Sequence, residues 1–243
     1  MKILWQTELS PIESCFYAFD GALIQEDNLL KYYFFYNKYM DLSEISFDIK
    51  DGTELCRKND GRDAAAEHKR NYINPFRNHS SHHYVSDDFV FGNFIISHHG
   101  EWGYVCRKNG ETIWKKALRG YLYTEMIQKG NNIVFGTAGQ GGHFYSLNLD
   151  SGEIVFDFNT KGTCNFIDWN GHLYFGFSEK RNTTLCKIDY NGTVIETINL
   201  PGIFDDFGNP FNRNGNLLCM VTYKYKKQKD RELFTPIVHC IEI

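Results

Sequence analysis

The chain has 243 residues, of which 42% are hydrophobic and 16% aromatic, so it can bury a substantial core as one domain. Its formal net charge is −4 and its pI is near 6.1, which disfavours a direct DNA or RNA binder because such proteins carry a basic field. No apolar run is long enough to span a bilayer, and the first residues hold neither a long apolar segment nor a lipobox. We therefore expect a cytoplasmic protein, although a removed signal peptide would leave no trace.

In chain order, the sequence predicts short β-strands that repeat about every 40 residues. Apolar pairs or runs that follow an Asn or Gly turn mark five equivalent strands, at Leu29–Leu30, Phe94–Ile96, Ile133–Phe135, Leu173–Phe175 and Leu217–Leu218. Turns that reverse the chain before an apolar strand occur at Asp51–Gly52, Asn109–Gly110, Ser151–Gly152 and Asn191–Gly192. Repeats of this length with four strands each predict an all-β fold, a five-bladed β-propeller that occupies residues 1–243 as a single domain.

The two ends of the chain complete one another in this repeat. Residues 237–243 read as a strand that stops at a hairpin, and residues 2–9 read as the strand that should follow that hairpin. The N-terminal strand is therefore predicted to be the outer strand of the last blade. Such pairing would close the ring and remove the open edge that a linear array keeps.

One insertion, about residues 59–84, interrupts the repeat between the first and second blades. Within it, Asp63–Arg70 reads as a short helix with an acidic start and a basic end, and Pro75 follows. We expect a surface excursion, with a lid or a contact arm as the alternative.

The third repeat carries a family resemblance. Ile133-Val-Phe-Gly-Thr137 and the run from Phe144 to Phe156 resemble the repeat of PQQ-like β-propellers, the family of the outer-membrane assembly lipoprotein and of quinoprotein dehydrogenases. The resemblance implies the propeller fold and says little about function. The dehydrogenases have eight blades, a vicinal Cys pair and a calcium site, whereas this chain has five apparent blades and no Cys-Cys step. No cofactor is therefore expected.

Cysteine and histidine residues do not form a recognisable metal site. The seven Cys fit reduced core residues better than a disulfide framework, and they lie at Cys15, Cys56, Cys106, Cys164, Cys186, Cys219 and Cys240. Zinc sites need fixed ligand spacing, which the imidazoles of His79, His82, His83, His98 and His99 lack. We expect no bound metal.

Carboxylates near the innermost strands raise the alternative of a glycosidase, because five-bladed glycosidases place acids around the axial channel. The candidates are Asp20, Asp88, Asp168, Asp205 and Asp206. The repeat differs from that of those enzymes, and no Ser or Cys lies in a nucleophile elbow. We therefore expect a protein that is not an enzyme.

Acidic residues in or beside the joints between blades suggest a different use. In a four-stranded blade, these joints and the loops between second and third strands emerge on one face. The acids are Glu13, Asp87, Asp88, Glu125, Asp205 and Asp206, and Trp102 lies on a second-to-third-strand loop of the same face. An exposed Trp among acids is typical of an anchor for a basic protein partner. The alternative is a solvated acidic rim with Trp102 folded inward, and we expect the basic segment from Lys224 to Arg231 to be a solvated hairpin.

A small, mildly acidic, divergent propeller without a catalytic motif resembles bacterial immunity proteins, including some that neutralise toxins of contact-dependent growth inhibition systems. The resemblance implies a monomer that binds one basic toxin domain, such as a nuclease, and blocks its active surface. Two alternatives remain. A carbohydrate-binding, lectin-like propeller would repeat one pocket in each blade, and an envelope assembly scaffold would need a lipidated Cys near its start.

Overall fold

The computed structural model describes residues 1–13, 22–35, 41–60, 88–99, 102–138, 141–161, 165–204, 211–228 and 231–243. Regular structure within these ranges consists of β-strands. In chain order they are β1 (Lys2–Glu8), β2 (Ile12–Glu13), β3 (Ala22–Glu26), β4 (Leu29–Phe35), β5 (Leu42–Asp48), β6 (Glu54–Asp60), β7 (Asp88–Phe91), β8 (Phe94–His99), β9 (Gly103–Lys108), β10 (Glu111–Ala117), β11 (Tyr121–Leu122), β12 (Ile127–Lys129), β13 (Asn132–Ala138), β14 (His143–Asn148), β15 (Ile154–Asn159), β16 (Phe166–Trp169), β17 (His172–Glu179), β18 (Asn182–Ile188), β19 (Val194–Pro201), β20 (Phe211–Asn214), β21 (Leu217–Gln228) and β22 (Arg231–Glu242).

The described strands form five sheets that follow one another along the chain. The first sheet holds β3 to β6, the second β7 to β10, the third β11 to β15 and the fourth β16 to β19, while the fifth combines β20 to β22 with β1 and β2. These sheets are the five blades of the predicted β-propeller, and the all-β fold class is confirmed. The five apolar runs that the repeat predicts lie in β4, β8, β13, β17 and β21, the second strand of each blade in chain order.

The chain divides into two compact units. Unit 1 comprises Met1–Asn78, Ser178–Thr184 and Ile198–Ile243, and unit 2 comprises His79–Phe177 and Leu185–Thr197. The first and fifth sheets belong to unit 1, and the second and third belong to unit 2. Strands of the fourth sheet contribute residues to both units.

The N-terminal strand completes the fifth sheet, as the sequence predicts. The strand β1 pairs antiparallel with β22, from Lys2 opposite Glu242 to Glu8 opposite Ile237. The sheet order is β1-β22-β21-β20, so β1 is the outer strand of the last blade. The ends of these strands pair because residues 2–9 and 237–243 are two halves of one repeat.

A buried polar chain fixes this pairing inside unit 1. The amide Nε2 of Gln6 lies 2.9 Å from Nδ1 of His239, and Nε2 of His239 lies 2.7 Å from Oγ1 of Thr222. The Thr222 hydroxyl donates in turn to the Pro201 carbonyl at 2.5 Å. One imidazole therefore connects β1, β22, β21 and the end of β19.

Four outer strands share a local irregularity, a β-bulge near the first residues of the strand. In each of them the pairing with the neighbouring strand skips one residue. The skipped residues are Leu4 in β1, Leu55 in β6, Ile113 in β10 and Val155 in β15. A bulge interrupts the ladder and increases the local twist, which makes an outer edge a poor template for another strand.

The residue after the bulge packs on the next sheet in unit 1. The Trp5 indole Nε1–H donates to the Ile49 carbonyl at 2.8 Å. Its ring covers Gly52, where an added Cβ would lie 2.4 Å from the ring. Gly52 also has a φ of +74°, so the turn needs glycine both for its backbone and for the close approach of Trp5.

Unit 2 repeats this contact. The Trp114 indole donates to the Leu149 carbonyl at 2.8 Å, and a Cβ on Gly152 would lie 2.8 Å from its ring. Phe156 covers Gly192 in the same way, at 2.6 Å from an added Cβ. Three of the four turn glycines that mark the repeat in the sequence, Gly52, Gly152 and Gly192, are therefore the docking points of the preceding outer strand, whereas a Cβ on Gly110 would meet no described atom within 4 Å.

The predictions for the insertion and for the cysteines are met only in part by the described residues. Asn59 and Asp60, the first two residues of the predicted insertion, belong to β6, and residues 61–84 with their predicted helix lie outside the described residues. Cys106, Cys186, Cys219 and Cys240 are buried as predicted, but Cys56 is exposed. Burial raises the pKa of the Cys106 and Cys186 thiols to about 11. Nothing helical in the described ranges could cross a membrane.

Candidate partner-binding face

Strand register brings Trp102 and Asp88 to one end of the second sheet, which we call the Trp102 end. Asp88 opens β7 and pairs with Ser97 near the end of β8, while β9 starts directly after Trp102. The Leu118 amide, just beyond β10, donates to the Trp102 carbonyl at 2.9 Å. The Trp102 end thus comprises the start of β7, the β8–β9 loop and the exit from β10, as blade topology predicts.

The side chain of Trp102 points into solvent. It is 57% exposed, whereas Trp5 and Trp114 are buried. The predicted alternative, in which Trp102 folds inward, is therefore wrong. A large amphipathic ring on a loop is the kind of group that gains most when a partner covers it.

Asp88 is exposed, but its carboxylate has protein partners. The Ser97 hydroxyl donates to Asp88 Oδ1 at 2.5 Å, and Arg107 Nη1 donates to Ser97 Oγ at 2.9 Å. The Arg107 cation is thereby connected to the Asp88 carboxylate through one hydroxyl. Asp88 is consequently held in a fixed orientation, with part of its charge compensated.

Glu125 was predicted in or beside a joint between blades, but it lies between β11 and β12, which both pair with β13, and its side chain is exposed. The segment between β11 and β12 is held by hydrogen bonds within unit 2. The Gly136 amide donates to Thr124 Oγ1 at 2.8 Å, and Thr124 Oγ1 donates to the Glu125 carbonyl at 2.8 Å. Earlier in the chain, the Arg119 carbonyl accepts a hydrogen bond from Thr137 Oγ1 at 3.0 Å. Glu125 and Trp102 are therefore presented by ordered backbone.

The other predicted acids are not placed by the structure. Asp87, Asp205 and Asp206 lie outside the described residues. The backbone of Glu13 pairs with Leu233 in β22, but its side chain is not described. Of the predicted set, the structure brings Trp102 and Asp88 to one end of the second sheet, whereas Glu125 lies at the edge of the third sheet, beside β13.

Two residues that the sequence analysis did not select contribute to the same unit. His143 Nδ1 and Asp157 Oδ1 are in contact, and the imidazole stacks on Tyr145 with ring centroids 5.2 Å apart. His143 Nε2 is buried and has no hydrogen-bond partner among the described residues. Asp157 stays partly exposed. The sequence pattern did not indicate that His143 and Asp157 are in contact, because the two residues meet diagonally across β14 and β15.

Aromatic contacts connect the second and third sheets behind these groups. Ring centroids lie 4.9 Å apart for His98 and Tyr104, 5.3 Å for Tyr104 and Phe135, and 5.7 Å for Phe135 and Tyr145. The Arg119 amide donates to the Tyr145 hydroxyl at 3.1 Å. This packing gives the Trp102 end a rigid base inside unit 2.

The two alternative sites, the acids of a glycosidase and the imidazoles of a metal site, are only partly within the described residues. Asp168 forms an ion pair with Lys129 and accepts a hydrogen bond from the Tyr190 hydroxyl at 2.8 Å. Asp20 lies outside the described residues, as do His79, His82 and His83. In the part of the chain that is described, no group of three His, Cys, Asp or Glu side chains is arranged to hold a metal.

No protein-family model matches the chain, and no curated protein matches it. Among solved structures, BamB from Moraxella catarrhalis is 10% identical over 96% of this chain and 75% of its own, with a TM-score of 0.39. The WD40 β-propeller domain of Doa1 is 10% identical over 90% of this chain and 62% of its own, with a TM-score of 0.35. The computationally designed Ika8 protein is 9% identical over the full length of both chains, with a TM-score of 0.31.

Proposed function

We propose that the protein is a non-enzymatic protein-binding module. The observation that supports this proposal is the exposed Trp102, carried on ordered backbone at the same end of the second sheet as Asp88. Covering a Trp of this kind can supply a large share of the binding energy of an interface, and nearby carboxylates select the partner by charge.

Within this class, we propose a cytoplasmic immunity protein that acts as a monomer and binds one basic bacterial toxin, such as a nuclease of a contact-dependent growth inhibition system. The overall charge of −4 supports attraction of a basic domain. The proposed mechanism is steric: Trp102 enters a pocket of the toxin, and Asp88 and Glu125 face its cations. The toxin surface that would hold nucleic acid is then covered. Assignment to the PQQ-like repeat is part of the same proposal and depends on residues 133–156.

The test takes the purified product of the neighbouring gene as the candidate toxin and measures binding by biolayer interferometry. Trp102→Ala should raise the dissociation rate by an amount that corresponds to about 2 kcal/mol or more, because a buried anchor is lost. Leu55→Ala is the matched control, since Leu55 is 55% exposed, lies on β6 and is not among the residues predicted to contact the partner. Its kinetics should equal those of the wild type.

A toxin-inhibition assay on the same variants gives the second readout. Loss of inhibition should follow loss of affinity. Wild-type kinetics for Trp102→Ala would show that the Trp102 end is not the interface. Absence of any binding to the toxin would refute the immunity function itself.

A further inference from the structure

The hairpin of β21 and β22 extends beyond the rest of the fifth sheet. Both strands have 12 residues, and they pair continuously from Leu217 opposite Glu242 to Gln228 opposite Arg231. Their neighbours are shorter: β20 pairs only as far as Met220, and β1 pairs only as far as Ile237. At about 3.3 Å per residue, the outer part of the hairpin is roughly 15 Å long.

The two sides of this outer part differ. On the β22 side, β2 pairs with Leu233 and Phe234. On the β21 side, the last contact is an isolated bridge between Ile203 and Tyr223. From 224 to 228 every residue is exposed, and no strand in the described part of the chain lies along this edge. An exposed strand edge presents alternate N–H and C=O groups that another strand can pair with.

Internal contacts keep the outer hairpin ordered. The Tyr225 ring packs against the Phe234 ring, directly opposite, with centroids 5.3 Å apart. The Tyr225 hydroxyl donates to Glu232 at 2.7 Å. Because the edge is already extended and stiffened, a strand that adds to it loses less entropy than one that adds to a flexible segment.

The open edge is basic, in contrast to the chain as a whole. Residues 224–235 contain five cationic and two anionic side chains, a formal charge of +3 in a chain of −4. Lys224 pairs with Glu8 at 2.5 Å. Lys226 and Lys227 are exposed and form no ion pair with any residue that the structure describes. Lys224 and Lys226 share one face of β21, and Lys227 lies on the other.

We propose that the 224–228 edge of β21 binds an extended, acidic segment of a protein partner, which adds to the hairpin as a further strand. Main-chain hydrogen bonds along the edge supply the affinity, and the lysines select carboxylates on the added strand. A second copy of the same edge is disfavoured because its lysines would face these lysines. Nucleic acid lacks the alternating amide and carbonyl groups that the edge would pair with. The surface uses none of the residues of the Trp102 end, so its test is independent of the immunity function.

The probe is a fluorescein-labelled peptide of about nine residues in which Glu alternates with Val or Thr, and its binding is followed by fluorescence anisotropy. The double variant Lys226→Glu/Lys227→Glu should weaken binding by roughly tenfold or more, because two attractive contacts become repulsive. The charge-matched control is Lys50→Glu/Lys115→Glu. Both of these lysines are exposed and lie outside the hairpin, and this variant should bind as the wild type does.

A second peptide separates strand addition from attraction by charge alone. It has the same sequence with N-methyl groups on alternate amides, which removes main-chain donors and leaves the charge unchanged. We expect it to lose at least as much affinity as the hairpin variant does. Equal binding of both peptides, no binding of either, or a tighter complex with a single-stranded oligonucleotide would overturn the proposal. Sedimentation that shows a dimer, dispersed by Lys226→Glu/Lys227→Glu, would also overturn it and identify a second copy as the occupant.

Discussion

At the scale of single residues, the surroundings of His239 hold it neutral. Burial lowers the pKa of this imidazole from 6.5 to about 3. Thr222 donates to Pro201, so it accepts from Nε2–H of His239, and Nδ1 accepts from Gln6. A second proton, on Nδ1, would face the Gln6 donor. The hydrogen-bond chain therefore favours one neutral tautomer and opposes the imidazolium.

Because His239 is held neutral, we predict that the folded protein loses stability in acid. Because its pKa in the folded state lies below its value in the unfolded state, the unfolded chain binds more protons between about pH 3 and 6.5, and the free energy of unfolding falls as pH falls through that window. Between pH 7 and pH 5 the loss should be about 2 kcal/mol. Urea denaturation at the two pH values measures it. The pH dependence should flatten in His239→Gln and persist in His99→Gln, since His99 is exposed. An unchanged slope in His239→Gln would contradict the assignment.

Glycines of the hairpin turns offer a comparison between two substitutions that share a backbone cost. Gly52 and Gly110 both have positive φ, +74° and +87°, but only Gly52 is covered by a tryptophan. Gly110→Ala should cost about 1 kcal/mol from backbone strain. Gly52→Ala should cost roughly 3 kcal/mol, because its Cβ also displaces Trp5. Thermal or urea unfolding of the two variants decides between them, and equal losses would show that the Trp5 contact contributes little.

At the scale of elements, β1 is the strand whose removal should matter most. Deleting Lys2–Glu8 exposes the edge of β22 and removes Trp5 from its site over Ile49. The truncated chain should aggregate or melt at a much lower temperature, which light scattering and calorimetry measure. A circular permutant is the control: a short Gly-containing turn joins Ile243 to Met1, and the chain is opened within residues 61–84. It should stay folded. Unchanged stability of the truncated chain would refute the role of β1.

Sequence patterns predicted the elements that depend on local chemistry and missed those that depend on cross-strand geometry. Asx-Gly and Ser-Gly turns located the hairpins, and the apolar runs located β4, β8, β13, β17 and β21, because turn type and side-chain alternation are written into neighbouring residues. The bulges at Leu4 and Ile113 were not predicted, since a one-residue shift in register is decided by the partner strand.

The candidate site also has a part that local sequence patterns predicted and a part that depends on contacts between strands. Trp102 was predicted on the correct loop because blade topology fixes which loops share an end. The contact of His143 with Asp157, and the connection from Arg107 through Ser97 to Asp88, were missed because each joins residues 9 to 14 positions apart on different strands. The extension of β21 and β22 past Tyr223 was also missed, because its basic residues suggested only a solvated hairpin.

At the scale of the whole molecule, net charge determines how a basic partner approaches. Charge reversal of Asp87, Asp88, Asp205 and Asp206 to Lys should slow association with the basic toxin several-fold and flatten its dependence on salt, while the dissociation rate changes little. Stopped-flow or biolayer kinetics at several ionic strengths measure this. Reversal of four other exposed acids, Asp60, Glu111, Glu153 and Glu242, to Lys is the control for net charge alone, because it changes the charge by the same amount. If the control slows association as much, the attraction is not localised to the predicted face.

The contacts of Trp5 and Trp114 also bear on the order in which the chain can fold during synthesis. Trp114 is made only 35 residues before its acceptor Leu149, so these neighbouring sheets can associate soon after they leave the ribosome. The pairing of Gln6 with His239 spans 233 residues and must wait for nearly the whole chain. Trp5, however, finds Ile49 and Gly52 after 44 residues. The first sheet can therefore hold the N-terminal strand in place, and shield its indole from aggregation, until the last strand emerges to pair with it.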